Sequence, residues 1–215
     1  MNAADWPEPP DLAHDDYISL AGITVRAGGI GSAAREALAT ETARILSEHG
    51  QRAFEYPRES AAIHEAGHIV VHIALGGRVR GARIGCDGTR WIGYTEYRAG
   101  EWSVDPAAAT ADHFIKVARN LYAGLAAEMA FDPDFRQGSS LDEVYMSQWA
   151  TGEAAHILGH SPQEMFENDV HGFTIHLLQQ NERSHRRLTD HLLRRSTLNG
   201  LKIAELSRGV RPHSE

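Results

Sequence analysis

Residues His64-Glu65-Ala66-Gly67-His68 place two imidazoles and one carboxylate in five consecutive positions. On a helix, residues four apart stand one above the other, so both histidines can reach a single ion. This H-E-x-x-H spacing suits Zn²⁺, which favours nitrogen ligands and in catalytic sites keeps one position open for water. Glu65 is then placed to accept a proton from that water.

Thirteen histidines in 215 residues make a chance match easier than usual, so context has to carry the argument. Pro57 suits a first helical turn, Ile63, Val70 and Ile73 give an apolar stripe, and Gly76-Gly77 ends the run. The pentapeptide is therefore centred on a well-punctuated helix. His72 continues the same face, but it lies two turns from His64, about 12 Å along the axis, too far to share an ion. It reads as a partly buried or supporting histidine.

A third ligand has to come from another element, and two segments qualify. The first is a helix expected to start at Asp105-Pro106, with an apolar stripe through Phe114, Val117, Leu121, Leu125 and Met129. Glu128 lies on that stripe, where a carboxylate is costly unless bonded. The second is Gln137-Gly138-Ser139-Ser140-Leu141-Asp142-Glu143, in which Ser140 and Glu143 form a capping-box pattern and Asp142 falls in the first turn. Residue chemistry alone leaves Glu128 and Asp142 both open.

Between these helices lies the clearest β signal. Val79 to Ile84 and Arg90 to Tyr97 alternate around Cys86-Asp87-Gly88-Thr89, an Asp-Gly turn. The prediction is a small hairpin near the metal, with an edge able to hold an extended peptide by main-chain bonds. The remainder reads as helical. Ser32 to about His49 forms one helix, Ser161-Pro162 opens another, and Phe166, Val170, Phe173, Leu177, Leu178, Leu188, Leu192 and Leu193 continue the apolar pattern. Gly172 is a candidate bend, and Arg183, Arg186, Arg187, Arg194 and Arg195 a solvated face.

The order of these blocks resembles the peptidase domain of the FtsH-type ATP-dependent zinc metalloproteases. The matching pieces are His64–His68, Gly93-Tyr94-Thr95, Ala123-Gly124-Leu125-Ala126-Ala127-Glu128, Gly138-Ser139-Ser140-Leu141-Asp142 and Leu192–Gly200. They span roughly residues 58–206. The resemblance implies a mainly α, zincin-like helical domain with a small sheet at its site, and Zn²⁺ as cofactor. It implies that His64, His68 and Asp142 hold the metal, that Glu65 is the general base, and that Glu128 supports the site. It also implies that Gly93, Tyr94 and Thr95 form the substrate strand, and that the reaction is hydrolysis of peptides or unfolded proteins. Met129, Leu141 and Glu143 depart from the family pattern, and Glu143 stands beside the expected ligand. The competing expectation is a non-catalytic zinc-stabilised interaction or adaptor domain derived from such a peptidase.

Composition narrows the partners. A net charge of −8 with no basic run disfavours nucleic acid. No P-loop pattern is present, so ATP binding by this chain is not expected, and a separate ATPase or a second copy is the expected partner. Gly29-Ile30-Gly31-Ser32 lacks the following strand of a dinucleotide fold and reads as a turn into a helix. One cysteine, Cys86, excludes an internal disulfide and a thiolate cluster. With no leader-like start and no spanning apolar run, a cytoplasmic protein without membrane attachment is expected. Residues 1–16 read as a loose tail and 17–210 as a single domain.

Overall fold

The computed structural model describes residues 17–20, 23–26, 32–86, 90–98, 109–135 and 140–212. The expected tail, the Asp87-Gly88-Thr89 turn, Gly29-Ile30-Gly31, the Asp105-Pro106 start and Gln137-Gly138-Ser139 lie outside these residues.

The fold is mainly helical with a small antiparallel sheet. In chain order it runs β1 (Tyr17–Leu20), β2 (Ile23–Arg26), α1 (Ser32–His49), a 3₁₀ turn (Gln51–Phe54), α2 (Arg58–Ala74), β3 (Val79–Cys86) and β4 (Trp91–Tyr97). There follow α3 (Ala111–Phe131), α4 (Leu141–Leu158), α5 (Pro162–Met165), a π-helical stretch (Phe166–Gly172), α6 (Phe173–Gln180), α7 (Glu182–Arg195), β5 (Thr197–Asn199) and α8 (Gly200–Leu206). The π stretch ends at the glycine expected to bend the chain. Among the described residues, no helix is long and apolar enough to cross a membrane.

The histidine helix α2 is the axis of the core. Every residue from Ser60 to His72 is buried, polar ones included. An amphipathic helix has a wet side; this one is enclosed all round, by α3, α6, α7 and the sheet. Its end is set by Gly76, at φ +88°, and by the Gly77 N–H, which donates to His72 O at 2.9 Å. His72 is fully buried and stacked on Tyr97, with ring centroids 4.2 Å apart.

The sheet has the order β4-β3-β5, with Ala82 facing Thr95 on one side and Leu198 on the other. Among the described residues, strand β4 is thus an edge. The β3–β4 hairpin follows the alternation in the sequence, whereas three-residue β5 carried no comparable signal.

One helix boundary and one helix cap differ from expectation. Helix α3 starts at Ala111, and its N-cap is Thr110, whose hydroxyl accepts from His113 N at 3.3 Å. Its buried face is also not the Val117–Leu121–Leu125–Met129 stripe: those residues are half-buried or exposed, Met129 at 41%. The face turned inward carries Ala118, Ala123, Gly124, Ala126, Ala127 and Glu128. Close approach of two helices favours small side chains over bulky ones at the contact, so hydrophobicity alone mislocates the face. Ser140 is the N-cap of α4 as expected, but its geometry is not. It precedes α4 in the left-handed region (φ 53°, ψ 35°) and makes no side-chain cap bond, so the predicted capping box does not form.

Candidate metal centre

Helices α2 and α3 run antiparallel, and the contact is set by absent atoms. A Cβ on Gly67 would lie 2.5 Å from Ala127 Cβ and 2.6 Å from Ala123 O. A Cβ on Gly124 would fall 2.1–2.4 Å from atoms of the His64 ring. On the other flank, a Cβ on Gly93 of β4 would come 2.2 Å from Glu65 Oε1. Three glycines thus leave room for backbone contact, for one imidazole and for the carboxylate beside it.

Polar contacts then orient each group. His64 Nδ1 is 2.6 Å from Glu128 Oε1, and His68 Nδ1 is 2.9 Å from the backbone oxygen of Asn120. A carbonyl oxygen only accepts, so His68 Nδ1 must carry the proton. The same assignment for His64, donating to Glu128, turns both unprotonated Nε2 atoms to the same point. They lie 3.0 Å apart. Such outer bonds are what hold histidine ligands in one tautomer and one orientation.

The third member of the cluster is Glu143. Its Oε2 is 3.2 Å from His64 Nε2 and its Oε1 is 3.4 Å from His68 Nε2. His64, His68 and Glu143 form the one group among the described residues with the spacing to hold a metal. Asp142, which the family resemblance puts in this role, is half-buried in the same helical turn and is not part of that group. Adjacent residues on a helix point about 100° apart, so only one of the two can face the imidazoles. Both partners of the expected capping box are turned to the histidines instead: the Glu143 carboxylate to the two Nε2 atoms, and Ser140 Oγ to within 3.5 Å of His64 Nδ1.

The donor set fits a cation. The two Nε2 atoms are 3.0 Å apart and each has a different oxygen of Glu143 3.2–3.4 Å away, close enough for one atom of each side chain to reach a shared ion. Two ring nitrogens and a carboxylate converge on one point, a place for a cation or, without one, for a proton on the rings. Protonation behaviour shows the same demand for positive charge. Burial opposes the charged form of both groups. Even so, the imidazoles hold the Glu143 carboxyl well below the usual carboxylate range, and the carboxylates of Glu143 and Glu128 raise His64 well above an ordinary histidine.

Glu65 is buried beside the cluster, and Thr95 Oγ1 donates to its Oε2 at 2.5 Å. Burial raises its pKa, against the pull of His64, His68 and Thr95. Of the Gly93-Tyr94-Thr95 strand, Gly93 and Thr95 therefore face Glu65. Tyr94 points out, half exposed, with the Arg83 guanidinium 5.2 Å from its ring centre. Only Glu143 among the cluster residues is appreciably open, with 27% of its side chain accessible, so the site opens on the α4 side.

Sequence reasoning missed Tyr56 and Asn120. Tyr56 donates to Glu128 Oε1 at 2.5 Å from a loop that carries no periodicity. Asn120 offers a backbone atom, for which residue type gives no signal.

No protein-family model and no curated protein matches this chain.

Proposed function

We propose that the protein is a zinc-dependent metallopeptidase that hydrolyses peptide bonds in peptides or unfolded proteins. His64, His68 and Glu143 would hold the ion. The observation carrying this reading is the convergence of two oriented imidazole lone pairs and one carboxylate beside a second, buried carboxyl group. A purely structural site gains nothing from that second carboxyl. Zinc bound by these side chains would supply a water whose pKa is lowered to about 7 and a Lewis acid for a carbonyl.

The chain's own residues supply the rest. Glu65 accepts a proton at its carboxylate and returns it to the departing amine. The raised pKa moves the group towards the range in which it can do both. Thr95 and the space at Gly93 hold that carboxylate in place. Strand β4, an edge of the sheet, would receive the substrate as an added strand, its main chain passing the residues that hold Glu65. The likeness of the blocks to FtsH-type peptidases supports the same reading, with a separate ATPase or a second copy as the partner that delivers substrate.

Glu65→Gln preserves size and is expected to retain zinc while hydrolysis of casein or a peptide library falls by roughly 10²–10⁴-fold. A wild-type protein that binds zinc stoichiometrically but cleaves neither substrate overturns the peptidase reading in favour of a zinc-stabilised interaction domain.

A further inference from the structure

We propose that Tyr56 is a positioning residue of the metal centre, setting His64 through Glu128 and tying it to the substrate strand. The inference rests on the metallopeptidase reading above.

Glu128 is 1% exposed, and one of its oxygens, Oε1, faces two groups at once: the Tyr56 hydroxyl at 2.5 Å and His64 Nδ1 at 2.6 Å. A buried carboxylate needs such donors, and two on a single oxygen fix its direction better than one. The Tyr56 ring also meets the His64 ring edge-on, with centroids 6.1 Å apart. His64 is thereby bounded by Gly124 on one side, Glu128 at Nδ1 and Tyr56 beyond. From the same residue, the Tyr56 carbonyl accepts from the Trp91 N–H, the first of β4, at 2.8 Å. One loop residue thus holds the orienting carboxylate by its side chain and the candidate substrate strand by its backbone.

These two attachments separate in a variant. Tyr56→Phe deletes the hydroxyl and leaves the backbone bond to Trp91. Zinc affinity, measured by chelator competition, is expected to fall about 10-fold, the lower end for a lost outer-shell partner. The visible bands of the cobalt-substituted protein are expected to shift, and kcat to fall while KM stays unchanged. Because Tyr56 acts through Glu128, the pair Tyr56→Phe and Glu128→Gln should cost no more zinc affinity than Glu128→Gln alone. Wild-type affinity with unshifted cobalt bands in Tyr56→Phe, or strictly additive losses in the pair, overturns the proposal while leaving the metal site itself standing. Wild-type protein that takes up neither zinc nor cobalt overturns both. If Tyr56→Phe does not fold, a fluorotyrosine placed at 56 keeps the shape and donates more strongly. Shifted cobalt bands then support the proposal, and unshifted bands refute it.

Discussion

The two halves of the candidate metal centre are built differently. The half on α2 is enclosed and over-determined: His64, Glu65 and His68 are each about 5% exposed or less, each is hydrogen-bonded, and glycines leave room for His64 and Glu65. The half on α4 is a single glutamate in the first turn of a helix that starts from a left-handed serine, on the open side of the site. The first half is fixed by packing on every side; the second is a single closing contact. Groups fixed by packing should tolerate little change in volume, and the closing contact little change in charge.

The sharpest challenge to this contrast is at the closing contact. Glu143→Gln removes the carboxylate charge facing both imidazoles, and zinc affinity is expected to fall by at least about 100-fold, beyond the usual range for outer-shell changes. Asp142→Asn, one residue away, should cost less than about 10-fold. Chelator competition on the two variants decides between them; the reverse order would return the third-ligand role to Asp142, as the family resemblance has it.

A second measurement probes how firmly α2 is held. His185 of α7 donates from Nε2 to Ile63 O at 2.9 Å, immediately before His64, and burial pushes its pKa down to about 4. An unfolded histidine titrates near ~6.5. Between these values the unfolded chain binds the extra proton, so this stability is fully present above pH ~6.5, drains as the pH falls, and is gone near 4. The whole effect is roughly 3 kcal/mol. Urea unfolding of the metal-free protein at pH 7 and pH 5 should show the loss, and His185→Gln should flatten it; an equal slope in the variant refutes the assignment.

The mildest test compares one glycine from each half. Gly124→Ala drives a methyl into the His64 ring and is expected to cost about 1–3 kcal/mol, with weaker zinc binding. Gly152 of α4 has nothing within 4 Å of the equivalent position, so Gly152→Ala should instead stabilise by up to about 1 kcal/mol through helix propensity. Thermal unfolding of the two variants would show opposite signs, and a matched sign would mean that the two halves are packed alike.

Legibility in the sequence follows the same division. The α2 half could be read because a four-residue spacing and helix punctuation act within one segment. The hairpin was readable for the same local reason. At α4 the local rule places the helix start but not the contacts: Ser140-x-x-Glu143 is a good capping pattern, yet the glutamate turns to two imidazoles brought from far along the chain, a tertiary demand that outweighs the cap. Helix α3 shows another limit. Its large apolar residues suggested one buried face, while the contact with Gly67 selects the alanine face. Tyr56 stayed hidden because a loop residue leaves no period to detect.

The small apolar cluster that seats the start of α4 has a consequence for timing. Leu38, Ile45 and Ala53 enclose Leu141, with Phe54 and Tyr145 packed around them, so a ledge laid down early in the chain waits for a helix synthesised much later. His64 and His68 leave the ribosome before that helix exists. A nascent chain therefore carries the two imidazoles with no Glu143 carboxylate beside them, and loop closure over that distance must be met before the cluster can form. Assembly of the three side chains is accordingly a late event, which has to wait until α4 has been made and seated on this ledge.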